Sequence, residues 1–127
     1  MEETDLERVI CPLHELADPG AREFTMGNGD WPLRGFVVRS GETVRAYVNH
    51  CPHAGFPLNW TPDGFLAPHS RLILCSMHGA VFEIETGLCI SGPCDGLRLR
   101  ALPVRVERGY VMLGDEVPLE EPPDLGS

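Results

Sequence analysis

Two short stretches of the chain each combine a cysteine with a histidine. In "VNHCPHAGFPL" one residue separates Cys51 from His53, and in "LILCSMHGAVF" two residues separate Cys75 from His78. Each pair follows an apolar run, and a glycine comes shortly after each histidine. Thiolates and imidazoles are ligands of zinc and of iron–sulfur clusters. The pattern therefore predicts two loops that converge on one metal centre.

Three interpretations of these residues compete. Buried cysteines are common in protein cores, so a single C-x-H would carry little weight, but two such pairs disfavour a purely structural explanation. A structural zinc site is the stronger alternative, although such sites usually show C-x2-4-C and H-x3-5-H spacings. The combination of C-x-H with C-x2-H instead matches a [2Fe–2S] cluster, in which two cysteines hold one iron and two histidines hold the other.

Short apolar runs alternate with turn residues along the chain, a pattern typical of a small all-β fold. A short helical turn is expected only at residues 13–18, because the prolines prevent longer helices. Residues 71–76 predict a short buried strand. Three hairpins are predicted, and their turns lie at residues 40–42, 86–87 and 107–109.

Apolar residues in these segments predict the core. Cys11 is expected in a strand, and Cys89 with Cys94 either form a disulfide or redox pair beside the cluster or act as small apolar side chains. The aromatic residues Phe56, Trp60 and Phe65 form either a docking rim or the packing of the loop at residues 59–70. The predicted core residues are Phe36, Val38, Val44, Val48, Leu72, Leu74, Phe82, Ile84, Val104, Val106, Val111 and Leu113.

The size and charge of the chain exclude several classes of partner. A chain of 127 residues predicts a single domain, at residues 1–114, followed by an acidic, proline-rich tail at 115–127 that we expect to be flexible. The formal net charge of −9 disfavours nucleic acid and anionic membranes as partners. We expect a cytoplasmic protein, because no apolar run approaches the roughly 20 residues of a membrane span and no signal peptide is recognisable.

The motifs "CPHAG" and "CSMHG" resemble the two cluster loops of the Rieske iron–sulfur family, and the resemblance extends from about Arg34 to Leu113. It implies a small antiparallel β-sandwich or barrel that holds one [2Fe–2S] cluster at its tip. By this resemblance Cys51 and Cys75 bind the inner iron, whereas His53 and His78 bind the outer, partly exposed iron. Pro93 would lie on a loop that covers the cluster's third side.

Departures from the family pattern indicate its low-potential, soluble branch. High-potential members carry an extra cysteine in each cluster loop, but Phe56 and Met77 occupy the matching positions here, so the disulfide between those cysteines cannot form. Ala80 stands where that branch has a serine. The 21-residue spacer between His53 and Cys75 is longer than is usual in the family.

The resemblance implies a soluble ferredoxin that carries single electrons from a flavoprotein reductase to a terminal oxygenase, in an aromatic-ring dioxygenase system. The chain lacks a glycine-rich dinucleotide fingerprint and shows no second domain for a mononuclear iron. An electron-transfer component is therefore expected rather than an enzyme by itself. The alternatives are a small redox subunit of a nitrite-reductase-like complex and a zinc-stabilised interaction module.

We expect the reduction potential to fall toward the low end of the roughly −150 to +300 mV range of Rieske centres. Without the serine hydroxyl at position 80, fewer hydrogen bonds stabilise the more negative reduced cluster. Protein-film voltammetry on the holoprotein measures this potential directly. A value near the top of that range would contradict our interpretation of Phe56, Met77 and Ala80.

Overall fold

The computed structural model describes residues 8–26, 33–50, 58, 64–67, 71–75, 79–92 and 96–114. This part of the chain contains ten β-strands and a single-turn 3-10 helix at Leu13–Glu15. The predicted all-β fold is confirmed. The strands are β1 Val9–Pro12, β2 Gly20–Met26, β3 Leu33–Ser40, β4 Thr43–Val48, β5 Leu72–Leu74, β6 Val81–Glu83, β7 Cys89–Ser91, β8 Ala101–Leu102, β9 Val104–Glu107 and β10 Tyr110–Leu113.

The strands form three antiparallel sheets. The largest has the order β2-β3-β4-β8, and the two smaller ones have the orders β1-β10-β9 and β5-β6-β7. Strand β1 begins and β10 ends side by side, since the amide of Leu113 donates to the carbonyl of Arg8 at 2.8 Å. The two ends of the described chain are thereby joined in one sheet.

All three predicted hairpins are present. Ser40 pairs with Thr43 across a two-residue turn between β3 and β4, in which Gly41 has φ = +63°. The turn between β9 and β10 places both Arg108 and Gly109 at positive φ, the conformation that matches the twist of a tight hairpin. The turn between β6 and β7 spans Ile84–Thr86 and so begins two residues before the predicted Thr86-Gly87 pair, with Gly87 directly after it.

One apolar cluster lies between β3, β4 and the sheet of β5 to β7. Phe36 stacks on Phe65 with ring centroids 4.2 Å apart, and its ring lies 5.8 Å from that of Tyr47. The cluster also contains Cys75 and Ala80, both fully buried. We call it the Phe36 cluster; its members are Phe36, Val38, Tyr47, Leu58, Phe65, Ile73, Cys75, Ala80, Phe82, Ile84, Cys89 and Leu99.

Six of the twelve predicted core residues are buried, and the prediction is wrong for Val106, which is 47% exposed on the edge strand β9. Val44, Val48, Leu72, Leu74 and Val104 are half-buried. Phe65 is completely buried and packs the core instead of forming an exposed rim, whereas Phe56 and Trp60 lie outside the described residues.

Two smaller apolar clusters also include side chains of the largest sheet. Cys11 of β1 is buried with Leu16, Val37 and Val111, which confirms the predicted strand position of this cysteine. The other cluster includes Phe24, Ala46, Leu102 and Leu113.

Within the described segments no helix is long and apolar enough to cross a membrane.

A polar contact ties the β3–β4 turn to the segment before β2. The carboxylate of Asp18 accepts hydrogen bonds from Arg71 Nη1 at 2.6 Å and from the Gly41 amide at 2.7 Å. The hydrogen bond from Arg71, assisted by that from Gly41, lowers the pKa of Asp18. Because this group is exposed, the contact orients the turn more than it stabilises the fold.

Replacing Tyr47 by phenylalanine should destabilise the protein by about 1–2 kcal/mol. The Tyr47 hydroxyl donates to the Ile84 carbonyl at 2.6 Å inside the Phe36 cluster, so the variant leaves a buried acceptor without its donor. Urea unfolding measures the change in free energy. The matched control, Tyr110→Phe, alters a tyrosine that is 40% exposed and should change stability little.

The stabilities of the wild-type protein and of Tyr47→Phe should respond differently to alkaline solution. Burial raises the pKa of Tyr47 to about 12, above its value of about 10 in an unfolded chain. Between these two values the unfolded state loses the proton first, so the wild-type protein loses stability as the pH rises. The stability difference between wild type and Tyr47→Phe should therefore narrow from pH 9 to pH 12. A constant difference would contradict the assigned environment.

Candidate metal centre

Cys75 is the predicted ligand whose position the structure describes. It follows β5 immediately and is completely buried in the Phe36 cluster. Ile73, two residues earlier on the same strand, is also fully buried. The strand thus delivers the cysteine side chain into the apolar interior, as its alternating pattern requires.

Two backbone hydrogen bonds close the turn that begins at Cys75. The Cys75 amide donates to the Ala80 carbonyl at 2.8 Å, and the Gly79 amide donates to the Cys75 carbonyl at 3.0 Å. Gly79 has φ = +73°, a conformation that glycine adopts without the steric cost other residues incur. In the sequence, residues 76–78, which include His78, lie between these bonded positions.

The other predicted loop has its ends held together by a side chain. The Leu58 amide donates to Asn49 Oδ1 at 2.8 Å, and the Asn49 amide donates to the Arg34 carbonyl at 3.0 Å. Leu58 is fully buried in the Phe36 cluster. Asn49 and Leu58, which stand on either side of the sequence segment with Cys51 and His53, are thus joined directly, and Leu58 belongs to the cluster that contains Cys75.

A third segment begins against the Cys75 turn. Gly92 follows β7, and a Cβ atom on it would lie 2.8 Å from the Ala80 Cα. Glycine, at φ = +102°, is therefore required for the chain to pass this close to Ala80. Residues 93–95, including Pro93, come directly after this contact.

The described residues next to these three segments therefore meet at one apolar cluster, which contains Leu58, Cys75 and Ala80. Cys51, His53, His78 and Pro93 lie outside the described residues, so the four-ligand set remains a prediction. Phe56, Met77, Cys94 and most of the loop at 59–70 also lie there. Among the residues that the structure describes, no three potential metal ligands come together. Cys75 is the one member of the predicted four-ligand set within those residues.

The chemistry around Cys75 suits a sulfur-bound metal group. No buried residue in the described segments carries a formal charge. A thiolate in such surroundings would be unfavourable without a positive partner, and an iron–sulfur centre supplies one. Position 79 has no side chain, and a Cβ atom built there would meet no atom within 4 Å, so the turn has open space beside it.

The sequence model of the Rieske [2Fe-2S] domain matches residues 7–103. The chain belongs to the Rieske [2Fe–2S] family. A [2Fe–2S] cluster is accordingly its cofactor, and the match extends the resemblance seen in the motifs to β1 and β2. No curated protein sequence matches the chain.

Solved structures of Rieske proteins share this fold. The ferredoxin of carbazole 1,9a-dioxygenase from Nocardioides aromaticivorans IC177 superposes with a TM-score of 0.65 at 28% identity, covering 84% of this chain and 93% of the ferredoxin. A chain of the complex of reduced oxygenase and oxidised ferredoxin in carbazole 1,9a-dioxygenase superposes with a TM-score of 0.65 at 24% identity, covering 84% and 99% of the two chains.

The same fold occurs as one part of a larger protein. The terminal oxygenase of carbazole 1,9a-dioxygenase from Nocardioides aromaticivorans IC177 matches with a TM-score of 0.68 at 24% identity. The match covers 93% of this chain but 34% of the oxygenase. The present chain therefore corresponds in fold to about a third of that protein.

Three contacting residues were not singled out by the sequence analysis: Asn49, Leu58 and Gly92. Asn49 and Leu58 flank the first Cys/His pair, and a polar residue so close to a ligand loop was the available signal. The contact of Gly92 with Ala80 had no such signal, because it joins residues twelve positions apart whose approach depends on the β6–β7 pairing.

The remaining described cysteines have structural surroundings. The Cys89 thiol donates to the Ser91 carbonyl at 3.3 Å, and Cys89 is buried in the Phe36 cluster. This position agrees with a small apolar side chain, while its predicted relation to Cys94 stays untested. Cys11 lies in a different cluster, on the far side of β3.

Replacing Cys75 with alanine should reduce iron and sulfide to a small fraction of the wild-type content, because a buried sulfur ligand is lost. Cys11→Ala is a matched control, since it also truncates a buried cysteine but in a separate cluster. It should lower stability while retaining the iron. Iron and acid-labile sulfide assays on purified, reconstituted proteins measure both outcomes. Equal iron content in the two variants would contradict ligation by Cys75.

Proposed function

We propose that this chain is a Rieske-type ferredoxin that carries single electrons from a flavoprotein reductase to a terminal oxygenase of an aromatic-ring dioxygenase system. The observation that carries the proposal is its similarity to the ferredoxin of carbazole 1,9a-dioxygenase, at 28% identity over 84% of this chain. The match is nearly end to end for that ferredoxin, 93% of which is covered.

The coverage of the matched proteins favours a carrier over an enzyme by itself. The chain spans nearly all of the solved ferredoxin but about a third of the terminal oxygenase, so the larger part of that oxygenase has no counterpart here. In the proposed role, one protein supplies the electron to this chain and another receives it. The solved complexes of oxygenase with ferredoxin illustrate one such arrangement in carbazole 1,9a-dioxygenase.

The proposed ligands are Cys51, His53, Cys75 and His78. When bound, a [2Fe–2S] cluster accepts and releases one electron at a time. The protein's contribution is to position the ligands and to limit water near them. Strand β5 places Cys75 in the apolar Phe36 cluster, and two backbone hydrogen bonds join Cys75 to Gly79 and Ala80. A stiff, partly desolvated environment keeps structural rearrangement small when the charge changes by one.

The contacts at the chain ends support a single domain at residues 1–114. The family match ends at residue 103, but β10 continues the fold, because it pairs with both β1 and β9. The Gly114 amide donates to the Pro103 carbonyl at 2.7 Å, and its own carbonyl accepts a hydrogen bond from Arg8 Nη1 at 2.6 Å. We propose that the acidic segment 115–127 is a tail beyond this domain and that the protein acts in the cytoplasm.

A redox titration followed by electron delivery tests the function. The purified holoprotein should be red-brown and should take up one electron per chain from dithionite. In anaerobic stopped-flow mixing, a flavoprotein reductase with NADH should reduce it, and a terminal oxygenase such as that of carbazole 1,9a-dioxygenase should reoxidise it. The Cys75→Ala variant is the negative control for both steps.

Different results would contradict different parts of the proposal. A colourless protein with one zinc per chain would contradict the redox role altogether. A red-brown protein that accepts an electron but transfers none to any oxygenase tested, while reducing a nitrite reductase, would contradict the oxygenase assignment and leave electron transfer intact.

A further inference from the structure

Asn49 lies between the end of β4 and the first predicted ligand loop, and it contacts both ends of that loop. Its backbone N–H donates to the Arg34 carbonyl at 3.0 Å, which attaches Asn49 to β3. Its side-chain Oδ1 accepts a hydrogen bond from the Leu58 amide at 2.8 Å, across nine residues. A single residue therefore anchors the start of segment 50–57 to the sheet and its end to that start.

Leu58 connects this loop to the second predicted ligand loop. Its side chain is fully buried in the Phe36 cluster, together with Cys75 and Ala80. The hydrogen bond from its amide to Asn49 thus links the segment that contains Cys51 and His53 to the turn that starts at Cys75. Fixing both ends of a loop removes much of the conformational freedom that its residues would otherwise have.

We propose that Asn49 is a positioning residue for the metal centre, whose carboxamide sets the placement of the first ligand loop relative to Cys75. The proposal rests on the ligand set of the proposed function. It assigns to Asn49 no direct bond to the metal. Supporting residues of this kind commonly affect metal affinity, because they orient the ligands that bind it.

A hydrogen bond similar to that between Asn49 and Leu58 occurs away from the predicted ligand loops and provides a control. Asp18 Oδ1 accepts a hydrogen bond from the Gly41 amide at 2.7 Å, at the opposite end of β4 from Asn49. Both contacts join a short polar side chain to a distant backbone amide. A general structural contribution should therefore appear at both positions, whereas an effect on the metal centre should appear at Asn49 alone.

The experiment compares holoproteins of wild type, Asn49→Leu, Asn49→Ala, Asn49→Asp and Asp18→Ala. The leucine and alanine variants lack the acceptor, so iron release to a chelator should be roughly three- to tenfold faster, as expected for one lost hydrogen bond. Their visible circular dichroism should also change. Asn49→Asp keeps an acceptor oxygen and should release iron at a rate close to that of the wild type.

The control variant Asp18→Ala should lower the unfolding temperature only slightly, because the contact is exposed, and should keep the wild-type iron-release rate and visible circular dichroism. The proposal is overturned if Asn49→Ala keeps the wild-type rate and spectrum, or if Asp18→Ala accelerates iron release as much as Asn49→Ala does. If Asn49→Leu fails to fold, the alanine and aspartate variants still decide between these outcomes.

Failure of this inference is distinguishable from failure of the proposed function. A wild-type protein that binds no [2Fe–2S] cluster would contradict the function itself. A wild-type protein that binds the cluster and passes electrons, with an Asn49→Ala variant that behaves identically, would contradict only the role of Asn49.

Discussion

The packing of the Phe36 cluster fixes Leu58, Cys75 and Ala80, the buried residues that adjoin the predicted ligand loops. Side chains from β3, β4, β5 and β6 meet there, and Cys75, Leu58 and Ala80 lie among them. Each large apolar side chain that is buried stabilises the fold by roughly 1.5–3 kcal/mol, so this cluster is a rigid reference for the loops that leave it. A ligand loop anchored to such a core needs few further contacts to keep its position.

The same apolar packing constrains the chemistry of Cys75. In a region without formal charges, a thiolate is unfavourable unless a cation compensates it. Metal binding and correct packing therefore depend on each other at this position. The protein carries its charges elsewhere: the ten arginines all lie in the described residues, together with seven of the nineteen acids, so the described body is net positive although the whole chain is acidic.

Much of the fold could be predicted because its signals are local. Glycine at residues 41 and 109 permits the positive φ of two hairpin turns, and alternation of apolar residues around Phe82 and Ile84 indicates which face is buried. Val106 shows the limit of such patterns. Its neighbours alternate as in a buried strand, but β9 lies at a sheet edge, and strand order is decided by contacts distant in sequence.

The sequence by itself determined the residue types and spacing of the two Cys/His motifs, the strand-and-turn pattern and the family, because these depend on nearest neighbours along the chain. Tertiary structure alone decided that Phe65 stacks on Phe36, that Asn49 holds Leu58, and that Gly92 passes against Ala80. Each of these contacts depends on the register of strands or loops that pair across long stretches of chain. Their energies come from packing and hydrogen bonding between surfaces that only the complete fold brings together.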